Sequence, residues 1–529
     1  MKGIATPLQA GKNGGQETAI MKSILKAGAN YWRLSPVTGS GLIVDGRDYY
    51  RAFYQAARTA ERYIAISGWQ FDSNVALLRG PDAEAAGEQA PLLAFLNGLC
   101  EETPELRVFI LAWDFSFVYG LDREWFQQWY VNWTTNKSLK FFFDRSAVYD
   151  ASHHQKFVVI DGKIAFVGGL DLCSSRWDDR DHRVETHLRV DADGTAYRSF
   201  HDLQSCHGGQ IAHDLAELFE ARWKVSSGEA LELPAEPDDG SHELTPTIPI
   251  AAERVAISRT QHCAVCGGDK TFREIRQLFL DAIDAAEHLI YIENQYFSAE
   301  ALYQGLLRRL ADKKRSPLEI VLVIAKDADG LLEQLSIGIA QNRIVRDLQQ
   351  AARDNGHHLG IYYPASVAAD GTELPTYIHS KCLVVDDRFL SVGSANMNNR
   401  SMGYDTELNV SWEAGQDDGE LARSIADARV DLLAEHTGQG DAKGRKALGR
   451  IPGLVEHLDR LADSGSTRLR HHPLESISQE YQWVTSVLPD GLPFDSERSE
   501  EAYEKMSTKD DSFFSRGVTS LKTWLLDND

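Results

Sequence analysis

The sequence has few cysteines, a deficit of basic residues and no long apolar run. Six cysteines in 529 residues are too few for a disulfide framework. No window approaches the roughly 20 consecutive apolar residues that a membrane-spanning helix needs. Lysine and arginine number 55 against 78 acidic residues, which gives a formal net charge of −23. Because nucleic-acid-binding proteins rely on basic surfaces, we expect no nucleic-acid partner.

The amino-terminal segment lacks the apolar core of a secretory signal peptide. We therefore expect a protein that is cytoplasmic as synthesised, although export by a specialised secretion machine would leave no such signal. Cys263 and Cys266 form a lone CxxC beside His262. A zinc site needs a second ligand pair at suitable spacing, which the sequence does not offer. We interpret both cysteines as reduced thiols, with a metal or redox role as the alternative, and we expect no cofactor.

An internal repeat organises the chain. A helical pattern that runs into an apolar strand begins at Gly46, and a second one begins at Asp269. The apolar faces of the two helices contain Tyr49, Phe53, Ala56 and Ala60 in the first copy and Phe272, Ile275, Phe279 and Ile283 in the second. Another apolar strand follows in each half, at Leu106 and at Leu318. This pattern predicts an α/β fold of two homologous α/β/α sandwich units packed together.

Composition divides the chain further. A stretch rich in proline and acidic residues separates the halves, and the pattern of apolar periodicity weakens near the carboxyl end. We predict an N-terminal extension (1–30), a first unit (31–232), a linker (233–255), a second unit (256–470) and a C-terminal tail (471–529).

Each half contains the motif His-x-Lys-x-x-x-x-Asp at the start of a predicted strand. The two copies are His154, Lys156 and Asp161, and His379, Lys381 and Asp386. Residues two apart on a strand face the same side, so each His and its Lys should project together. One match arises by chance in roughly one chain of this length in twenty. Two matches 225 residues apart inside a repeat therefore predict a shared function.

The residues that follow each motif also correspond. Gly168-Gly169-Leu170-Asp171 follows the first copy and Gly393-Ser394-Ala395-Asn396 the second, with Asp171 and Asn396 at equal distances from their histidines. Over most of residues 30–440, these features resemble the phospholipase D superfamily. The stretches HHQKFVVID, GGLDLCSSRWD, IYIENQYF and GSANMNNRS are similar to its phosphatidylcholine-cleaving branch.

The resemblance implies that both motif copies meet at one active site, at the interface of the two units. It implies hydrolysis of a glycerophospholipid to phosphatidic acid and a free head-group alcohol, with transfer to other alcohols. Two imidazoles suit this chemistry, since a pKa near ~6.5 lets one be neutral and one protonated. We expect His154 to be the nucleophile that forms a phosphohistidine and His379 to be the general acid, although the reverse order stays open.

The remaining candidates support this pair of histidines. Lys156 and Lys381 should stabilise the phosphate oxygens, and Asn396 should donate a hydrogen bond to them. The resemblance places Glu407 as the carboxylate that orients His379, and Glu185 is the candidate partner for His154. The further supporting candidates are Asp171 and Ser394.

Several more residues have either a functional or a structural interpretation. Trp69 and Gln295 end corresponding strands and are candidates for substrate binding, with core packing as the alternative. His201 and Asp202 resemble a His-Asp pair that lines the site. Asp161 and Asp386 come at turns, which favours a structural role for both. No metal ligand set accompanies these residues.

Three other functions remain open at the level of sequence. A cardiolipin or other phosphatidyl-transfer synthase would use the same residues with a different acceptor. A nuclease of the same superfamily would act on another class of phosphodiester, which the acidic composition disfavours. A non-enzymatic relative is the least favoured, because both His-Lys pairs are intact. The expected partner is phospholipid at a membrane or micelle surface.

Overall fold

Two sheets of matching topology make up the core of the molecule. The computed structural model describes residues 22–113, 135–144, 151–234, 243–263, 270–327 and 331–473. The first sheet contains β2 (Gly39–Val44), β3 (Tyr63–Gly68), β4 (Arg107–Trp113), β5 (Leu139–Asp144), β6 (Phe157–Ile160), β7 (Ile164–Gly168), β9 (Leu203–Gly208) and β10 (Ile248–Pro249).

The second sheet is built mainly from the second half of the chain. Its strands are β1 (Arg33–Pro36), β11 (Arg254–Gln261), β12 (Phe272–Arg273), β13 (Leu289–Asn294), β14 (Glu319–Ile324), β15 (His358–Val367), β16 (Glu373–Pro375), β18 (Cys382–Val385), β19 (Phe389–Gly393), β20 (Glu407–Glu413) and β21 (Leu469–His471). A separate parallel pair joins β8 (Phe200–His201) to β17 (Tyr377–Ile378).

The two sheets repeat the same strand order. In the first sheet the order is β5-β4-β3-β6-β7-β9-β2, and in the second it is β15-β14-β13-β18-β19-β20-β11. In each sheet the first three strands are parallel and the rest are antiparallel. The expectation of an α/β fold made of two similar units is confirmed.

Helices cover the sheets. They are α1 (Asp45–Ala57), α2 (Pro81–Ala86), α3 (Leu92–Glu102), α4 (Gln210–Ser227), α5 (Glu274–Ala285), α6 (Glu300–Leu310), α7 (Leu331–Asn355), α8 (Asn399–Gly403), α9 (Gly419–Thr437), α10 (Ala442–Leu448) and α11 (Leu454–Asp463). The two repeated helix–strand units are α1 with β3 and α5 with β13. Tyr49, Phe53 and Ala56 are buried on α1, as the apolar spacing predicts.

The sheets pack against each other through β7 and β9 of the first sheet and β19 and β20 of the second. One hydrophobic core is continuous across this contact and includes Phe166, Val167 and Trp412. A second core lies between β13 and β14 and the helices α5, α6 and α7. Burial of these apolar faces is the dominant force that holds the two units together.

Two local expectations differ from the structure. The regular strands of the motif begin at Phe157 and Cys382, after the lysines, and not at the histidines. The histidine segments instead make contacts to the other half of the molecule. Phe272 lies half-buried on β12, outside α5, and Ala60 lies beyond the end of α1, so neither belongs to the apolar face of its helix.

Strands near the boundaries of the two predicted units do not follow those boundaries. Strand β1 pairs with β11 in the second sheet, and β10, from the predicted linker, pairs with β2 in the first. The backbone N–H groups of Ile24 and Leu25 donate to the carboxylate of Glu413 at 2.7 and 2.9 Å. The predicted tail lies almost entirely outside the described residues.

In the described part of the chain, no helix is long and apolar enough to cross a membrane. Cys263 is a half-buried free thiol, and Cys266 lies outside the described residues.

Candidate active site

A carboxylate from the second unit holds the histidine of the first motif. His154 Nδ1 lies 3.1 and 3.0 Å from the two carboxylate oxygens of Glu407. Glu407 is completely buried at the start of β20, and the Ser394 hydroxyl donates to it. The His154 backbone N–H donates to the carbonyl of Thr406 at 3.0 Å, which brings the motif alongside β20.

The second motif repeats this arrangement with the units exchanged. His379 Nδ1 lies 2.5 Å from Asp202 Oδ2, and Asp202 is completely buried. The His379 backbone N–H donates to the carbonyl of His201 at 2.8 Å, next to the β8–β17 pair. Each unit therefore supplies the carboxylate that orients the other unit's imidazole, and the two motifs meet at one interface.

This exchange corrects two expectations. Glu407 lies beside His154 and not beside His379. Glu185 is exposed and belongs to neither pair. A signal was present in the repeat, because His201-Asp202-Leu203 and Thr406-Glu407-Leu408 both place an acid and a leucine at the entry to corresponding strands.

The lysine of the first motif is buried against a tryptophan and an aspartate. Lys156 Nζ lies 3.3 Å from Asp171 Oδ2 and donates to the carbonyl of His154 at 3.3 Å. It also lies 5.7 Å from the ring centroid of Trp69, within the range of a cation–π contact. The Trp69 and His154 rings are 6.1 Å apart. Trp69 and Asp171 are thus both at the site.

The lysine of the second motif has neutral partners. Lys381 Nζ donates to Gln295 Oε1 at 3.3 Å and to the carbonyl of His379. The Gln295 amide in turn donates to the hydroxyls of Tyr296 and Tyr377 at 2.6 and 2.7 Å. Gln295 therefore lies in contact with Lys381, and its part in substrate binding stays a prediction.

Asn396 follows the second motif and is 7% exposed. Its Oδ1 atom has no hydrogen-bond partner among the described residues. A buried amide oxygen without a donor is unfavourable unless a ligand or water supplies one.

Comparison with known proteins identifies the family. A family model described as "Phospholipase D" matches residues 56–337, more than half of the chain, and one described as "Cardiolipin synthase, PLD-like domain" matches residues 279–427. The chain belongs to the phospholipase D superfamily.

Curated relatives in this superfamily include "Phospholipase D A" of Dictyostelium discoideum, 26% identical over 79% of this chain and 35% of that protein. Another is "Phospholipase D alpha 2" of Oryza sativa subsp. japonica, 26% identical over 76% of this chain and 65% of that protein. The chain thus spans between one third and two thirds of these relatives' lengths. The crystal structure of phosphatidylserine synthase from Haemophilus influenzae aligns with a TM-score of 0.51 at 12% identity, over 83% of this chain and 96% of that chain. At that identity the likeness shows the fold alone.

Burial controls the protonation of this phospholipase D-like site. It lowers the pKa of His154 well below its ordinary value, and the charges of Lys156 and Lys381 lower it further. Burial also lowers the pKa of His379. It raises the pKa of Glu407 to about 8 and that of Asp202 to about 7. His154 therefore favours the neutral form, which carries the lone pair needed for attack on phosphorus, whereas a general acid at His379 needs the imidazolium form, which an anionic phosphate beside it would favour.

The aspartate that ends each motif accepts hydrogen bonds from the backbone. The Asp161 carboxylate accepts the N–H groups of residues 61, 62 and 63 at 2.7 to 2.9 Å. Asp386 accepts those of residues 287, 288 and 289 at 2.7 to 2.8 Å. Both aspartates have positive φ, 52° and 53°. They cap the starts of β3 and β13 and touch neither histidine in the described residues, in agreement with a structural role.

His201 lies behind Asp202 and does not line the site. Its Nε2 is 3.1 Å from Glu293 Oε2, and His436 Nε2 is 2.9 Å from Glu293 Oε1. The Ser380 hydroxyl donates to Glu293 at 2.7 Å. All of these residues are buried and come from both units, so they form an ionic contact within the interface.

Two overlapping groups of buried side chains in the described structure have donor atoms close enough to hold a metal ion; one is His201, Glu293 and His436, and the other has four members. The ligand atoms of Asp45, His182, His201 and Glu435 all lie within 4.8 Å of one another. Two imidazoles and two carboxylates form a donor set that divalent cations accept. The same atoms also pair directly, since His201 Nδ1 lies 2.8 Å from Glu435 Oε1. The group lies behind the histidine pairs and contains neither motif histidine.

Two aromatic residues at the site were missed by the sequence analysis. The Phe200 ring is 5.2 Å from the His379 ring, and the Tyr377 ring is 6.2 Å from it. Tyr377 precedes His379 by two positions, which on an extended segment places both on one face. That spacing was the available signal.

Proposed function

We propose that this protein is a phospholipase D that hydrolyses glycerophospholipids, with phosphatidylcholine-like lipids as substrate, to phosphatidic acid and a free head-group alcohol. One observation supports this reaction most. Two imidazoles from different units are each held through Nδ1 by a buried carboxylate, and neither Nε2 has a partner in the described residues. An in-line displacement at phosphorus requires a nucleophile and a proton donor, and these two ring nitrogens can supply both.

In the first step, His154 Nε2 attacks the phosphorus and the bond to the head-group oxygen breaks. His379 enters this step protonated on both ring nitrogens, with its Nδ1–H held by Asp202, and it donates its Nε2 proton to the departing alcohol and becomes neutral. In the second step, His379 takes a proton from water, the water oxygen bonds to phosphorus, and the bond to His154 breaks. An alcohol that replaces the water gives a transphosphatidylated lipid.

The surrounding residues have separate parts in this scheme. Glu407 holds His154 in the tautomer whose Nε2 carries the lone pair, and Asp202 stabilises the His379 imidazolium that donates the proton. Lys156, Lys381 and Asn396 stabilise the negative charge on the non-bridging oxygens. The printed names of the Dictyostelium and rice relatives support the phospholipase reaction. The substrate would be reached at a membrane or micelle surface.

Product analysis tests this function directly. Phosphatidylcholine vesicles with a few per cent ethanol should yield choline, phosphatidic acid and phosphatidylethanol with the wild type. His154→Ala and His379→Ala should each lower kcat by about 10⁴-fold or more, because each removes a reacting group. His358→Ala, an exposed histidine at the start of β15, is the matched control and should keep wild-type activity.

The ethanol adduct separates the outcomes. Choline release without phosphatidylethanol would contradict capture of a covalent intermediate by alcohols. Full activity in either histidine variant would contradict the two-histidine mechanism. Cleavage of nucleic acid with no product from any phospholipid would replace the phospholipase by a nuclease.

Phosphatidyl transfer is the second candidate function. The family model described as a cardiolipin synthase domain matches residues 279–427 and supports it. The same histidines would then pass the phosphatidyl group to a lipid alcohol in place of water. Vesicles that contain phosphatidylglycerol as acceptor distinguish the two, since a transferase would form more transfer product than phosphatidic acid.

A further inference from the structure

Two imidazoles and two carboxylates form a buried cluster at the interface of the two units, outside the reaction scheme. Its members, here called the interface cluster, are Asp45, His182 and His201 of the first unit and Glu435, on α9, of the second. His201 Nδ1 lies 2.8 Å from Glu435 Oε1 and 3.0 Å from Asp45 Oδ1. His182 Nε2 lies 3.1 Å from Glu435 Oε1 and 3.6 Å from Asp45 Oδ2.

The donor atoms of the interface cluster have the spacing of a zinc site. Zinc binds imidazole nitrogens and carboxylate oxygens tetrahedrally at about 2.0–2.2 Å, which places neighbouring ligand atoms about 3.3 Å apart. The four imidazole–carboxylate separations in the cluster run from 2.8 to 3.6 Å. Small shifts of these side chains would therefore complete the coordination of an ion at their centre.

Direct hydrogen bonds leave two atoms of the cluster without a partner. His201 Nδ1 is within ion-pair distance of two carboxylate oxygens, but it makes no hydrogen bond among the described residues. Asp45 Oδ2 likewise accepts no hydrogen bond. Both atoms are buried, and a buried polar atom without a partner is unfavourable. A cation between them would satisfy the lone pairs of both.

The other polar atom of each imidazole is held by a carboxylate outside the cluster. His182 Nδ1 lies 3.0 Å from Asp178 Oδ2, and His201 Nε2 lies 3.1 Å from Glu293 Oε2. A carboxylate only accepts, so both of these ring nitrogens carry the proton. The nitrogens that face the cluster can then present their lone pairs. Metal-binding histidines in proteins are oriented in this way.

The carboxylates of the cluster are fixed as well. Glu435 Oε2 accepts from Arg180 Nε at 2.5 Å, which leaves Oε1 to face the imidazoles. Asp45 and His182 have positive φ, 65° and 44°, a backbone region that few residues other than glycine adopt. Such conformations persist where the surrounding structure requires them and are frequent at ligand sites.

We propose that the interface cluster binds one zinc ion, which joins the two units behind the histidine pairs. Two imidazoles favour zinc over calcium or magnesium, which prefer oxygen ligands alone. The imidazoles bind the ion in their neutral form, so any proton on the nitrogens that face the cluster passes to solvent. The Asp45 backbone N–H donates to the Asp202 carbonyl at 2.9 Å. The ion therefore also steadies the carboxylate that orients His379.

Metal analysis of the full chain tests this site without substrate. Protein expressed in zinc-supplemented medium and dialysed against EDTA should retain about one zinc ion per chain, because all four ligands are buried. The same protein loaded with Co²⁺ should show the strong visible absorption of a four-coordinate ion. No retained zinc, or the weak spectrum of six-coordinate cobalt, would overturn the proposal even if no variant could be purified.

Asp45→Asn and His182→Asn identify the ligands. Asparagine tolerates positive φ, so both variants keep the backbone and lose one ligand. Each should bind zinc at least about 100-fold more weakly in competition with a chelator. His471→Asn is the matched control, since His471 is exposed and pairs with Asp463 at 3.0 Å. This variant should bind zinc as the wild type does.

Thermal unfolding distinguishes a zinc site from an ionic contact alone. Zinc should raise the melting temperature of wild type refolded in its presence, relative to wild type refolded with chelator, and should leave that of Asp45→Asn unchanged. Equal zinc affinity in Asp45→Asn and the wild type would place the ion elsewhere and contradict the proposal. The phospholipase reaction is measured separately, so failure of either proposal leaves the other intact.

Discussion

Gly169 of the first unit and Ser394 of the second occupy corresponding positions. Each lies beside the acid that orients a histidine, and the smaller residue lies beside the shorter acid. A Cβ at Gly169 would lie 2.2 Å from Asp202 Oδ1. The Ser394 hydroxyl instead donates to Glu407. Aspartate is one methylene shorter than glutamate, so its backbone must come closer to place the carboxylate beside an imidazole. The glycine permits that approach.

Gly169→Ala should therefore damage the His379–Asp202 pair. The added methyl group would displace Asp202, and we expect kcat on phospholipid to fall by about 10²-fold or more, since an imidazole without its orienting carboxylate is a poor acid. Steady-state kinetics on the folded variant measure this effect.

Gly98→Ala is the control for the loss of a glycine. Gly98 lies on α3 with no atom within 4 Å of an added Cβ. Alanine is favoured over glycine in a helix by about 0.5–1 kcal/mol, so this variant should be slightly more stable and fully active. Wild-type activity in Gly169→Ala would contradict the close approach.

The starts of β3 and β13 are held by the same arrangement of hydrogen bonds in both units. Asp161 and Asp386 each turn back at positive φ and accept three consecutive backbone N–H groups that precede β3 or β13. These strands deliver Trp69 and Gln295 to the site. The motif aspartates therefore fix the register of the strands that carry the site residues.

Asp161→Ala should lower the free energy of unfolding and leave the chemistry intact. Three N–H groups lose their acceptor, which costs about 1–3 kcal/mol for each group that stays buried and unpaired. Urea denaturation should show a lower midpoint, whereas kcat per folded molecule should stay near the wild-type value. A loss of kcat without loss of stability would instead give Asp161 a part in the reaction.

Across the whole molecule, buried charges join the two units behind the site. Glu293 accepts from His201 of the first unit and from His436 and Ser380 of the second. Burial raises the pKa of Glu293, but the two histidines outweigh burial and hold that pKa far below its ordinary value. The carboxylate is therefore ionised at neutral pH and pairs with His201, whose pKa the neighbouring carboxylates raise, whereas burial lowers the pKa of His436, which binds Glu293 as a hydrogen-bond partner.

Glu293→Gln should destabilise the interface by about 3–5 kcal/mol, the usual cost of removing one partner from a buried ion pair. Chemical denaturation at neutral pH measures this change. Glu373→Gln breaks an exposed pair with Arg470 and should cost about 1 kcal/mol or less. Equal effects of the two substitutions would show that the buried network adds no stability.

The sequence by itself determined much of this protein. The periodicity of α1 and α5 and the apolar runs of β3, β4, β13 and β14 predicted two α/β units, because helix and strand patterns are local. The paired motifs predicted a site with two histidines and two lysines. The turn chemistry at Asp161 and Asp386 indicated their structural role, since a carboxylate in a tight turn binds nearby backbone.

Only the tertiary structure decided which acid serves which histidine. Glu407 follows His379 closely in sequence yet holds His154, and Asp202 holds His379. Such pairs form when the two units pack through β7, β9, β19 and β20, and neither spacing nor periodicity records that contact. The same packing places His201 behind the site. Local patterns specify elements, whereas the partners of a buried charge depend on which surfaces the hydrophobic core brings together.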